Sequence, residues 1–98
     1  MVIELAILRV LPGNGPALED AFDAVRPLLA AADGHLRHRL VQAMDERDTF
    51  LLEVAWRDLE AHVNGFEPSE AHAHFMAALE PLLREQPVVI HVPHGAAP

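Results

Sequence analysis

His35-Leu36-Arg37-His38-Arg39-Leu40-Val41-Gln42-Ala43 and Thr49-Phe50-Leu51-Leu52-Glu53-Val54-Ala55-Trp56 are extended segments joined by the polar linker Met44-Asp45-Glu46-Arg47-Asp48. Apolar and β-branched runs on either side of a short polar loop predict a β-hairpin. Pairing Ala43 with Thr49 sets Leu40 opposite Leu52, His38 opposite Val54 and Leu36 opposite Trp56. The same register sets Arg39 against Glu53, an opposite-charge pair that supports it. Side chains alternate along a strand. One face then carries Leu36, His38, Leu40, Phe50, Leu52, Val54 and Trp56, and is expected to meet helices. The other carries Arg37, Arg39, Val41, Leu51, Glu53 and Ala55 and is mixed.

Outward from the hairpin, Val2 to Val10 is a nearly unbroken apolar run interspersed with Glu4 and Arg9, as in a strand buried on both faces. The breaker cluster Leu11-Pro12-Gly13-Asn14-Gly15-Pro16 ends it. Leu18, Ala21, Phe22, Val25, Leu28 and Leu29 recur at helical spacing, predicting a helix from Ala17 to Ala32 with a kink or a detached last turn at Pro27. After Trp56, Asp58 is expected to cap a short helix from Leu59 to Asn64 that stops at Gly65. A longer helix starts at Pro68 or Ser69, turns Ala71, His72, Phe75, Ala78, Leu79 and Leu82 inward, and breaks at Pro81. Pro87 to Val92 is a β-branched run and a fourth strand. The order β-α-β-β-α-β with short connections is that of a ferredoxin-like α+β fold with a four-stranded antiparallel sheet and both main helices on one side. Residues 1–94 are expected to form one domain and 95–98 a flexible tail. The uncovered sheet face calls for a second copy, so a homodimer through the sheet faces is expected.

Composition narrows the chemistry. Of 98 residues, 51% are hydrophobic and 22% charged, enough apolar side chains for a core. Seven Arg and no Lys face fifteen Asp and Glu, a net charge of −8, which argues against nucleic-acid and anionic-membrane partners. No apolar run approaches a membrane span, and the N-terminus lacks the basic start of a secretory signal, so a cytoplasmic location is expected. With no Cys there is no disulfide or thiolate, and with no Tyr a common general acid is missing. Seven His remain to carry polar chemistry.

His38 is a candidate catalytic base, because it projects from the predicted sheet into the apolar layer and imidazole titrates near neutrality. Trp56 ends the third strand at the rim of that face and can stack on a flat ligand. His62, on the short helix, is placed at a pocket mouth, and Phe66 follows it. His72 flanks the inward stripe one turn before Phe75 and Met76, while His74 is expected in solvent. His35 and His38 fall on opposite strand faces, and His72 and His74 on roughly opposite helix faces, so no metal site is expected. Gly13-Asn14-Gly15 is a turn and not a dinucleotide loop, because Leu18 stands where that fingerprint needs its third glycine.

Thr49-Phe50-Leu51-Leu52-Glu53-Val54-Ala55-Trp56, then Asp58-Leu59-Glu60-Ala61-His62, then Phe66, Ser69-Glu70 and Phe75 resemble the antibiotic biosynthesis monooxygenase family, whose members are dimeric α+β barrels. The resemblance runs over nearly the whole chain. It implies a cofactor-independent monooxygenase: a base deprotonates a small phenol, hydroquinone or polyketide aromatic, and the electron-rich anion itself reduces O₂. His38 and His62 are then the catalytic candidates, and Trp56, Leu52, Phe66, His72 and Phe75 the substrate-binding ones. Leu52 stands where anthrone-type members carry an Asn four residues before the Trp. The alternatives are a non-catalytic small-ligand-binding dimer or an isomerase or lyase on the same scaffold. A haem-degrading monooxygenase is less favoured, because the first strand has no Asn and the positions of that branch's Trp and His fall near Gly65 and Met76.

Overall fold

The computed structural model describes residues 1–95. Residues 96–98, most of the expected tail, lie outside the described residues. The strands are β1 (Val2–Arg9), β2 (His35–Gln42), β3 (Thr49–Trp56) and β4 (Val88–Pro93). The helices are α1 (Gly15–Ala30) and α2 (Glu70–Leu79), with a π-helical turn at Ala61–Phe66 and a 3₁₀ turn at Glu80–Leu82. The sheet order is β2-β3-β1-β4 with every neighbouring pair antiparallel, the ferredoxin-like α+β arrangement.

β1 shows why the layers form. Glu4, Ala6, Leu8 and Val10 are buried under the helices, while Ile3, Leu5 and Ile7 alternate onto the opposite face and are half-buried. Leu18, Phe22 and Leu29 from α1 and Phe75 and Leu79 from α2 complete the core with Phe50, Leu52, Val54 and Trp56 of β3. Each such side chain contributes roughly 1.5–3 kcal/mol when fully buried. On the face away from the helices, Ile90 and Val88 of β4 are 51% and 47% exposed beside Leu5 and Ile7.

Three expectations are corrected. First, the last turn of α1 is not detached at Pro27, and the helix runs to Ala30. Pro27 and Asp23 are exposed, so the Asp23 carbonyl that loses its helical donor can be hydrated, and buried Leu29 anchors the last turn. Second, the short helix does not stop at Gly65. The Glu67 N–H donates to the His62 carbonyl at 2.8 Å, a five-residue step that carries the chain to buried Phe66. Asp58 does cap this turn, accepting from the Ala61 N–H at 2.8 Å. Third, the hairpin register holds from Arg37 to Gln42, but a bulge between His35 and Arg37 sets His35 opposite Trp56 and leaves Leu36 52% exposed. The extra residue shifts the alternation by one. His35 thereby joins His38 on the helix side, with their ring nitrogens 2.8 Å apart.

Candidate functional site

Between the sheet and α2 lies a cavity of about 230 Å³. Its floor is Glu4, Ala6 and Leu8 of β1 with Leu52 and Val54 of β3. Its walls include His62, Phe66, His72, Phe75 and Met76, and Glu67, Glu80 and Gln86 sit on its polar side. No Arg lines it.

Glu4 is the acid within this apolar floor, and it is only 6% exposed. Strand alternation turns it inward, and the register sets it beside Val54 on one side and His91 on the other. Its Oε1 accepts a hydrogen bond from Trp56 Nε1–H at 2.9 Å and lies 3.3 Å from His62 Nε2. No buried side-chain oxygen among the described residues lacks a partner, and Oε2 takes part in no hydrogen bond, so Oε2 keeps some accessible surface, and Glu4 is part of the cavity floor. Burial pushes the Glu4 carboxyl up from 4.5 to about 7, against the Trp56 hydrogen bond and with the help of Glu67's negative charge. A carboxyl that titrates near neutrality can both take and return a proton.

His62 comes from the π-helical turn and is 3% exposed. Its ring stacks on Trp56 with centroids 5.0 Å apart and planes 18° from parallel. Nδ1 lies 2.7 Å from Nε2 of His91 on β4. Nε2 also lies 3.8 Å from Glu67 Oε2. Burial, then the neighbouring His91 and His72, push His62 down to about 4, so the ring is neutral at pH 7. Burial likewise disfavours charge separation between Glu4 and His62.

Of the candidate residues, Leu52, His62, Phe66, His72 and Phe75 line this cavity. Burial also lowers His72, which Glu67 and Glu80 partly oppose. His38 stands apart from it: its ring packs edge-on against Phe22 at 5.7 Å, beneath α1 on the edge strand. Burial lowers its pKa, with His35 and Arg26 adding to the effect. Trp56 has no exposed surface and does not line the cavity; it touches the site through Glu4 and His62. His74 faces solvent. Sequence reasoning missed Glu4 and His91. The signal for Glu4 was an acid in the middle of an apolar strand. His91 carried none, since its pairing with His62 spans 29 residues. Among the described residues no group of three or more His, Cys, Asp or Glu is placed to hold a metal ion.

The model of the antibiotic biosynthesis monooxygenase family matches residues 1–78. The uncharacterised protein YczJ of Bacillus subtilis is 34% identical over 91 residues, covering 93% of this chain and 96% of YczJ. A Bordetella bronchiseptica structure named for the same family superposes with a TM-score of 0.92 at 23% identity, covering 97% of each chain. Rv0793 from Mycobacterium tuberculosis superposes at 0.79 with 21% identity, covering 98% of this chain and 96% of its own. At such identities the two structures speak for the fold alone.

Proposed function

The chain belongs to the antibiotic biosynthesis monooxygenase family, and on that premise we propose that it oxidises a small uncharged hydroxyaromatic with O₂, without a bound cofactor. The observation that carries this reading is the Glu4 carboxyl, buried in the floor of the 230 Å³ cavity against Trp56 and His62, where burial pushes it up to about 7. Glu4 takes the proton of a substrate hydroxyl. The resulting aryl oxide gives one electron to O₂, and the radical pair recombines as a carbon–oxygen bond. Glu4 returns its proton to the peroxide anion, and loss of water from the hydroperoxide and its carbon–hydrogen bond leaves a quinone.

Size and charge narrow the substrate. A cavity of about 150 Å³ accommodates benzene, so this one suits one ring or two fused rings. Glu67 and Glu80 with no Arg disfavour carboxylates and phosphates. The apolar outer sheet face, with Ile3, Leu5, Ile7, Val88, Ile90 and Val92, supports a homodimer in which two such faces pack together.

The test is oxygen uptake with hydroquinones and naphthols, in the wild type and in Glu4→Gln. Uptake that falls by roughly 10²–10⁴ in the variant is expected, the usual worth of a positioned base. No uptake with any of them would refute the oxygenase reading. A second reading, an isomerase, draws on the same carboxyl, because moving a proton between carbons needs only such a group. Solvent deuterium exchange into an enolisable aromatic ketone, lost in Glu4→Gln and without oxygen uptake, would favour it.

A further inference from the structure

The Glu4 carboxyl also meets a pair of histidines. Its Oε1 lies 3.3 Å from the imidazole of His62, while Oε2 keeps some accessible surface. Beyond His62, Nδ1 meets His91 Nε2 at 2.7 Å, and His91 is only half-buried. The chain Glu4–His62–His91 therefore runs from the buried floor toward the surface, by a 3.3 Å contact not aligned as a hydrogen bond and then by the His62–His91 hydrogen bond. We propose that His62 and His91 form a proton path connecting Glu4 to the protein surface at β4. The functional role rests on the reading of Glu4 as the cavity base.

Two proton arrangements are compatible with both contacts. In the first, Glu4 is protonated on Oε1 and donates to a bare His62 Nε2, and His62 Nδ1–H donates to a bare His91 Nε2. In the second, Glu4 is ionised, His62 Nε2–H donates to Oε1, and His91 Nε2–H donates to His62 Nδ1. Passing from first to second moves one proton along each link and releases one from His91 Nδ1, so the books balance at one proton out. If a substrate proton arrives on Oε2 during that passage, the carboxyl stays neutral throughout. No carboxylate–imidazolium pair has to form in the apolar floor, where isolated charge is costly.

The surroundings hold the rings in line. Trp56 stacks on His62 and fixes Oε1 through its indole N–H. Glu67 at the end of the π-helical turn and His72 on α2 are the other titratable groups facing His62. Glu67 favours a proton on Nε2, and His72 disfavours a positive charge on the ring. Burial, His91 and His72 outweigh Glu67 and keep His62 neutral, so that it changes tautomer and not charge. The π-helical turn has a structural purpose here, because its wider step lets His62 reach over Trp56 while Phe66 stays buried.

The experiment reads proton positions with no substrate present. Side-chain ¹⁵N spectra of His62 are followed across pH together with the ¹³C signal of the Glu4 carboxyl. The path predicts that the protonated nitrogen of His62 changes from Nδ1 to Nε2 in the same transition that ionises Glu4. In Glu4→Gln the change should vanish, leaving one His62 tautomer through that interval. Replacing His91 with Phe, which removes the outer partner and keeps the ring volume, should uncouple the His62 tautomer from Glu4 ionisation. A His62 that keeps the same protonated nitrogen while Glu4 titrates overturns the path, as does a change of tautomer that persists in Glu4→Gln. Absence of oxygen uptake would refute the oxygenase reading and leave these proton positions as they are, so the two failures are distinct.

Discussion

Replacing Glu4 with Gln should make the protein more stable, and increasingly so as pH rises. A carboxyl that titrates at 4.5 in the unfolded chain and about 7 in the folded one binds its proton more tightly when folded. Between those values folding takes up a proton, so stability falls as pH rises and levels off above 7. With both states ionised the loss is about 3 kcal/mol, most of it between pH 5 and pH 8. His62 works the other way. Its folded value of about 4 against 6.5 means the unfolded chain holds the proton, so stability falls as pH drops from 6.5 toward 4. In the wild type the two slopes oppose each other between about pH 4.5 and 6.5. Gln keeps the shape and the acceptor for Trp56 but not the ionisation. Urea unfolding of both proteins, at one protein concentration near pH 5 and near pH 8, isolates the effect. The stability difference, variant minus wild type, should grow by roughly 2–3 kcal/mol over that interval, on the order of 10 °C in midpoint temperature for a domain of this size. A difference independent of pH would mean that Glu4 is not held in its protonated form by burial, and the proposed base would lose its physical foundation.

Trp56→Phe removes the donor that favours the Glu4 carboxylate, so the carboxyl should titrate higher than in the wild type, as read by its ¹³C signal, with a stability loss of roughly 1–3 kcal/mol. Gly34 has φ +87°, and a Cβ there would stand 2.5 Å from Ala61 Cβ. Gly34→Ala should therefore cost on the order of 2 kcal/mol or more in urea unfolding, whereas Gly13→Ala, at φ +81° with open space, should show the backbone strain alone, about 1 kcal/mol. Leu5→Asp combined with Ile90→Asp on the outer sheet face should halve the sedimenting mass while circular dichroism stays unchanged; a wild type that already sediments as a monomer would refute the proposed dimer.

Much of the fold was legible in residue spacing. The stripe Leu18, Phe22, Leu29 announced α1, and Ser69 announced α2, whose first turn it caps by accepting from the His72 N–H at 3.1 Å. The Arg39–Glu53 pair pointed to the hairpin register, and the two side chains meet at 2.6 Å. Local rules failed where a buried anchor outweighed them. Phe66 draws the chain past Gly65 into a π-helical turn, and Leu29 holds α1 together beyond Pro27. The bulge before Arg37 has no local signature, because it depends on how the end of β2 meets Trp56.

Periodicity and breaker residues, which act over a few neighbours, were enough for the order of strands and helices; of the candidate site residues, Leu52, His62, Phe66, His72 and Phe75 line the cavity while His38 and Trp56 do not. The chemistry of that space was decided only by tertiary structure. Glu4, Trp56, His62 and His91 come from four separate elements, and nothing in their spacing says that they touch. An acid in a strand is an ordinary surface carboxylate until packing removes its water. Here the helix layer does so, the indole and imidazole replace the water, and the same side chain becomes a group that exchanges protons near neutrality.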